Sequence, residues 1–165
     1  MLCMAISPDF ANDETIFVGT DSGIFRSTNG GRAWREVDFP PDFSPVLSLA
    51  LPSNHATDGV LFAGTESHGL FYSNDRGNTW VRLCEEQISD EVNHILVAPE
   101  FPAKQDLLIL QGDGLRISRD GGHSWSDWKV ALPAETGLTS MTAPQGLDPG
   151  SLLLLGLADG TVLRI

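Results

Sequence analysis

An eight-residue box that recurs three times, about 45 residues apart, constrains the fold of this chain more than any other feature. The box follows the pattern Ser-x-Asp/Asn-x-Gly-x-Ser/Thr/Ala-Trp, and its three copies span residues 27–34, 73–80 and 118–125. A period of this length is typical of solenoids and propellers, in which each repeat is one small unit that stacks on its neighbours.

Each fixed position of the box has a physical role in a tight turn. An Asp or Asn side chain folds onto the backbone two residues further on, and glycine supplies the positive φ that the turn needs. The serine hydroxyl adds a local hydrogen bond, and the tryptophan packs the turn against the core. The residues predicted to have this structural role are Ser27, Asn29, Gly31, Trp34, Ser73, Asp75, Gly77, Trp80, Ser118, Asp120, Gly122 and Trp125.

Short β-like runs surround every box. An apolar run that ends in small residues and a run that opens with glycine precede it, as at residues 16–20 and 23–26. Another strand ends at a proline earlier in each repeat, and a further one follows the tryptophan. Four short antiparallel strands in about 45 residues predict β-propeller blades. A β-sandwich is the alternative, but it gives no reason for a box at a fixed spacing.

The repeat also predicts how many blades the chain contains. Blades are expected over about residues 1–45, 46–91, 92–137 and 138–165, and the last one stops where its box would begin. The predicted fold class is therefore all-β, with about 3.75 four-stranded blades in one partial or half propeller. Since natural proteins avoid open sheet edges, we expect a homodimer that closes a ring, or a chain that is part of a longer one.

At the boxes the sequence resembles the BNR/Asp-box propeller superfamily, which includes sialidases, sortilin-type receptors, xyloglucan-cleaving propellers and photosystem II stability/assembly factors. The resemblance covers essentially the whole chain, and the pattern Ser-Pro-Asp-Phe…Gly-Thr…Gly-Ile-Phe-Arg-Ser is most similar to the assembly-factor branch. It implies that each box turn joins the third and fourth strands of a blade, on the face away from the usual active site. Because fold does not determine function, the resemblance assigns no activity by itself.

Composition excludes several function classes. The chain has 165 residues, of which 41% are hydrophobic, and a formal net charge of −12. So acidic a chain lacks the basic face that nucleic-acid binding requires. No apolar run approaches the roughly 18 residues of a membrane-spanning helix, and the N-terminus shows no signal peptide. As it stands, the sequence predicts a cytoplasmic protein, or an exported one if its N-terminus is truncated.

The residues do not converge on a catalytic or metal site. A sialidase of the family would need a tyrosine nucleophile and an arginine clamp, but the single tyrosine, Tyr72, directly precedes a box. Hydrolysis of a glycosidic bond by two carboxylates remains an alternative, because the sequence contains many acidic residues. Its pattern does not single out one pair of them. The histidines lack zinc spacing, and the glutamate position of a calcium loop is occupied by Cys84 and Lys129. We predict no catalytic residues, no metal and no cofactor.

One acidic residue recurs in the turn between the second and third strands of every repeat. Propeller geometry places these turns on the face opposite the boxes, where they form a candidate acidic binding face for a basic partner. The alternative is that an acid near glycine serves turn formation and solubility. The four residues are Asp21, Glu66, Asp113 and Asp159.

A repeat fold without a convergent catalytic set favours a non-enzymatic scaffold for protein interaction or assembly. This function implies a protein partner, with no nucleic acid and no membrane span. The alternative is a fragment of a carbohydrate-active propeller, either a glycoside hydrolase or a glycan-binding protein. Binding to a glycan array and hydrolysis of reporter glycosides would distinguish the two.

Overall fold

The computed structural model describes residues 1–40, 44–112, 114–129 and 137–165. These residues form fifteen strands and two single helical turns. The first blade consists of β1 (Cys3–Ile6), β2 (Ile16–Thr20), β3 (Gly23–Ser27) and β4 (Arg35–Glu36). The second blade consists of β5 (Val46–Ala50), β6 (Leu61–Thr65), β7 (Leu70–Ser73) and β8 (Val81–Leu83).

The third and fourth blades repeat this arrangement. The third consists of β9 (His94–Val97), β10 (Leu107–Gln111), β11 (Gly114–Ser118) and β12 (Ser126–Asp127). The fourth consists of β13 (Leu138–Thr142), β14 (Leu154–Leu157) and β15 (Val162–Arg164). Every sheet is antiparallel and its strands are ordered as in the sequence, which confirms three four-stranded β-propeller blades followed by a three-stranded one.

The blades stack in sequence order around an axis lined by their first strands. β1 contacts β5, β5 contacts β9, and β9 contacts β13. Because both faces of an inner blade are covered, β6 and β10 are almost entirely buried and have apolar residues on both faces. Among the described residues the core consists of three apolar clusters, and each lies between two consecutive blades.

Two helical turns interrupt the all-β pattern that the sequence predicts. α1 (Phe10–Asp13) and α2 (His55–Asp58) each join the first strand of a blade to the second. Each ends at a left-handed residue, Glu14 with φ 47° and Gly59 with φ 74°. A four-residue turn is too short to show helical periodicity, which is why the sequence does not reveal it. Neither helical turn in the described residues is long enough to cross a membrane.

Candidate functional site

The box turns lie between the third and fourth strands of the first three blades, and their hydrogen bonds are nearly identical. The Ser73 hydroxyl donates to Asp75 Oδ1 at 2.8 Å and accepts the Gly77 N–H at 2.9 Å. The same bonds link Ser27, Asn29 and Gly31 in the first blade, and Ser118, Asp120 and Gly122 in the third. The side chains of the box therefore close its turn locally, while the N–H of its fourth residue donates to a carbonyl before the second strand of the same blade, as from Arg76 to Gly59 at 2.9 Å.

The carboxylates of two boxes are held in the charged form by these bonds. Asp75 accepts the Thr79 hydroxyl at 2.7 Å and the Thr79 N–H at 2.9 Å, which lower its pKa from 3.8 to about 2. Partial burial by itself would raise the pKa of Asp120, but hydrogen bonds from Ser124 and Ser118 lower it to about 2. Their low pKa values follow from turn structure, so these two carboxylates are poorly suited to acid–base catalysis near neutral pH.

The tryptophans that end the boxes differ in burial. Trp80 and Trp125 are each 8% exposed, and each indole N–H donates to a glycine carbonyl in its own box, at 3.1 and 3.0 Å. Trp34 is 44% exposed. Trp80 and Trp125 each pack into a cluster that includes residues of the preceding blade, whereas Trp34 belongs to the first blade of the chain.

The predicted acidic turns lie at the opposite ends of the strands from the boxes. Asp21 and Glu66 are exposed, directly after the last residues of β2 and β6. Asp159 is also exposed, and its carboxylate accepts the Thr161 N–H at 2.8 Å, which lowers its pKa. Asp113 lies outside the described residues. Turn formation thus explains why an acidic residue stands at position 159, while Asp21 and Glu66 present their carboxylates to solvent.

A cleft of about 320 Å³ lies on the axis, between the first strands of the four blades. Its rim includes an exposed amide and an exposed hydroxyl, from Asn93 and Thr139. It is lined by Cys3, Met4, Leu47, Ser48, Leu49, Asn93, His94, Thr139 and Ser140. The cleft therefore combines hydrogen-bonding groups with apolar side chains.

One equivalent position of the first strand places a lining residue in every blade. Cys3 pairs with Gly19, Ser48 with Gly64, His94 with Leu110, and Ser140 with Gly156. We call this position the axial slot. From this position onward the four first strands pair with their second strands in the same register, so the slot lies at the same height in each blade. In β5 and β13 the register shifts directly before the slot.

The axial-slot side chains also join neighbouring blades. The Cys3 thiol donates to the Val46 carbonyl at 3.3 Å, and the Ser48 hydroxyl donates to the Val92 carbonyl at 2.8 Å. Burial raises the pKa of Cys3 to about 11, so this thiol is a poor nucleophile. Burial lowers the pKa of His94, whose Nδ1 accepts the Met141 N–H at 3.1 Å. The imidazole is therefore neutral and held by the fourth blade.

The cleft can bind a polar ligand, but its described lining does not form a hydrolytic pair. Its polar groups are hydroxyls, an amide, a thiol and a neutral imidazole, with no carboxylate among the described lining residues. The described part of the chain also contains no group of three or more His, Cys, Asp or Glu residues that could hold a metal ion. The sequence by itself places His94 near the axis, because it lies in the predicted innermost strand of its repeat. The other polar lining residues become visible once the repeats are aligned on strand register.

Tyr72 and two arginines of the third strands, Arg26 and Arg116, have structural contacts. Tyr72 packs against Phe62 with ring centroids 5.4 Å apart, and burial raises its pKa. Arg26 donates to the Arg76 carbonyl and Arg116 to the Gln87 carbonyl, each at 2.6 Å. These side chains tie blades and loops together and do not converge on one ligand site.

Comparison with known proteins supports the fold and adds sequence relatives. No protein-family model matches the chain. An oligoxyloglucan-reducing end-specific xyloglucanase from Emericella nidulans is 25% identical over 130 residues, which cover 73% of this chain and 16% of the relative. The chain thus spans about a sixth of the curated relative that it matches.

Two solved structures illustrate the structural likeness. The xyloglucanase of glycoside hydrolase family 74 from Xanthomonas campestris has a TM-score of 0.65 at 18% identity, and the match covers 99% of this chain and 30% of the enzyme. YCF48 bound to D1 peptide has a TM-score of 0.58 at 12% identity, with 98% of this chain and 63% of YCF48 covered. At these identities the likeness shows the fold alone: the chain has the structure of one part of a β-propeller.

Proposed function

We propose that the chain is part of a carbohydrate-active propeller and that it binds glycan in the axial cleft. The observation that carries the proposal is a cleft of about 320 Å³, rich in hydroxyl and amide groups, on the axis of a fold that it shares with xyloglucanases. The sequence relative that acts on xyloglucan oligosaccharides supports the same function. This was the alternative at the sequence level, and these relatives favour it over the non-enzymatic scaffold.

The chemistry of the lining suits a sugar. Sugar hydroxyls both donate and accept hydrogen bonds, and the exposed Asn93 amide can do the same. The exposed Thr139 hydroxyl donates to the Gly156 carbonyl at 3.1 Å and can accept a bond from a sugar hydroxyl. Met4, Leu47 and Leu49 supply an apolar surface for the C–H face of a ring. A volume near 300 Å³ is at the lower end of the range for small-ligand sites, which corresponds to one or two sugar units.

The proposed role is binding, and hydrolysis is assigned to residues elsewhere in a larger enzyme. Glycoside hydrolysis requires two carboxyl groups on opposite sides of the scissile bond. The described lining of the cleft contains none. We also propose that the three turns are Asp boxes, because the same serine, acid or amide, and glycine form the same bonds in each.

Titration calorimetry with xyloglucan oligosaccharides tests the proposal. The variants Asn93→Ala and Thr139→Ala should each weaken binding about 3- to 10-fold, the loss expected for one hydrogen bond. The matched control is Asn12→Ala, an exposed asparagine of α1 at the opposite end of the strands, which should bind like the unmodified chain. Absence of binding, or an equal loss in the control, would contradict the proposal.

A protein scaffold is the second candidate, and exposed Asp21 and Glu66 near the same end of the molecule favour it. YCF48 shows that a propeller of this fold binds a peptide. If a basic peptide binds in the same titrations while the oligosaccharides do not, and if Glu66→Lys abolishes that binding, the scaffold function replaces glycan binding. Turnover of a reporter glycoside would overturn the assignment of binding without hydrolysis.

A further inference from the structure

Two arginines face each other across the outer strands of the first blade. Arg26 of β3 pairs directly with Arg35 of β4. Side chains at such a pair of positions lie on the same side of the sheet, with their Cβ atoms about 4.5–5.5 Å apart. Arg26 donates to the Arg76 carbonyl of the second blade at 2.6 Å, which shows that this side faces the second blade. The arginine pair therefore lies at a groove between two described blades.

The equivalent positions of the other two four-stranded blades carry no charge. They are occupied by Tyr72 and Val81 in the second blade, and by Ile117 and Ser126 in the third. The fold therefore does not require an arginine at either position. Like charges directly opposite each other destabilise a strand pair. In the described residues no carboxylate oxygen lies within 4 Å of a side-chain nitrogen of either arginine, so a bound anion would relieve the repulsion between them.

A cleft of about 290 Å³ opens beside the arginine pair, and we call it the arginine cleft. Its lining contains no carboxylate among the described residues. A smaller cleft of about 120 Å³ also touches both arginines, but Glu36 and Asp38 border it. An anion is therefore better accommodated in the arginine cleft. The residues that line the arginine cleft are Arg26, Thr28, Asn29, Ala33, Trp34 and Arg35.

The first box differs from the other two in the charge that it brings to this cleft. It has the neutral Asn29 where the second and third boxes have Asp75 and Asp120. The Asn29 oxygen accepts the Ser27 hydroxyl at 3.0 Å and the Ala33 N–H at 2.8 Å, as the aspartates do in their own boxes. The turn thus uses the amide oxygen and leaves the amide NH₂ group as a donor. Asparagine keeps the turn and removes a negative charge beside the arginines.

We propose that the arginine cleft binds a sugar that carries a sulfate or phosphate group, with the oxyanion held between Arg26 and Arg35. A guanidinium can donate two parallel hydrogen bonds to such an anion. The Asn29 amide and the exposed Thr28 hydroxyl supply further donors. A volume near 300 Å³ is typical of a site for a small organic molecule, so a sugar ring fills the space that a bare ion would leave. The arginine cleft shares no residue with the axial cleft, and this inference does not depend on glycan binding there.

Titration calorimetry of the full 165-residue chain with glucose 6-phosphate and glucose 6-sulfate, in a buffer free of both inorganic anions, tests the site. At least one of the two sugars should bind, and inorganic phosphate should bind at least about 10-fold more weakly. Arg35→Gln should weaken binding of the sugar at least about 10-fold, the loss expected for a charged hydrogen bond. The matched control is Arg164→Gln, which removes the same charge from an exposed arginine of β15 and should bind like the unmodified chain.

A second variant tests the charge of the cleft while it preserves the turn. Asn29→Asp introduces the aspartate of the other two boxes, so thermal unfolding of this variant should remain cooperative. The new carboxylate competes with the ligand for the arginines and should weaken binding about 5-fold, the effect of one nearby charge in water. Because Asn29 and Arg35 lie outside the axial cleft, these losses report on the arginine cleft alone.

Four results would overturn the proposal. The first is that neither sugar binds, and the second is that inorganic phosphate binds as tightly as the sugars. The third is that Arg35→Gln retains the affinity of the unmodified chain. The fourth is that Arg164→Gln loses as much affinity as Arg35→Gln, because the loss would then follow from net charge and not from this cleft.

Discussion

The boxes of the first and second blades have the same local structure and different surroundings. In both, serine bonds to the acid or amide two residues on and accepts the N–H of the glycine four residues on. Trp80 nevertheless is 8% exposed and Trp34 is 44% exposed. The turn is thus formed within eight residues, while burial of its tryptophan is supplied by the preceding blade.

This difference separates two contributions to the stability of a repeat protein. The hydrogen bonds of the box are intrinsic to one repeat, and the apolar contact of the tryptophan belongs to the interface between repeats. Trp80 packs with Phe39 at a centroid distance of 5.1 Å, and Phe39 lies in the segment that leads from the first blade to the second. Substitutions at equivalent positions in the two blades can therefore compare how much each contribution adds to the free energy of unfolding.

The largest difference is expected between the two tryptophans. Trp80→Ala should lower the free energy of unfolding by about 3–5 kcal/mol, since it removes a large buried side chain from an interface. Trp34→Ala should cost about 1–2 kcal/mol, because nearly half of that side chain already contacts water. Urea unfolding of the two variants and the unmodified chain measures both losses. Equal losses would show that the preceding blade contributes little to burial of the box.

A smaller difference is expected between glycines opposite the axial slot. Gly64→Ala should cost about 2–3 kcal/mol, because the new Cβ meets the Val92 carbonyl of the next blade at 2.6 Å. Gly156→Ala should cost less than about 1 kcal/mol, since the new Cβ meets the rotatable Ser140 hydroxyl and no backbone atom of a neighbouring blade. Chemical denaturation of the two variants makes the comparison, and a larger loss at Gly156 would contradict it.

The smallest effect is expected from acid on the box carboxylates. The pKa of Asp75 falls from 3.8 to about 2 on folding, so its stabilisation is complete above about pH 4 and is lost as the pH falls toward 2. Asp75→Asn keeps an acceptor that does not titrate, as Asn29 does in the first blade. Unfolding free energies between pH 5 and 2 should therefore fall less steeply for this variant. Asp21→Asn, an exposed acid outside the boxes, is the control, and an equally flattened profile there would count against the box as the cause.

The blade architecture could be predicted because its signals are local and repeated. The box at residues 73–80 contains the side-chain donors and acceptors that close its turn, and the strands around it show the expected apolar runs. The helical turns α1 and α2 could not be predicted, because four residues carry no helical period. The confirmed fold class therefore rests on repetition, which compensates for the weak signal of each short strand.

The candidate site was harder to predict because its residues are far apart in the sequence. Asn93 and Thr139 become neighbours only when the first strands of successive blades meet at the axis. The acidic turns, in contrast, were visible in each repeat, and whether Asp21 and Glu66 bind a partner stays a prediction. Asp113, the third-repeat member of that set, lies outside the described residues.

The sequence by itself determined the unit of this protein: an antiparallel blade with a self-bonded turn, repeated at a fixed spacing. Hydrogen bonds within eight residues and the pattern of apolar residues along a single strand are short-range features. Each repeat therefore shows them by itself. Only the tertiary structure decided which apolar residues are covered, as Trp80 is and Val162 is not. Burial depends on the neighbouring blade, and the same stacking brings the axial-slot residues together into one cleft.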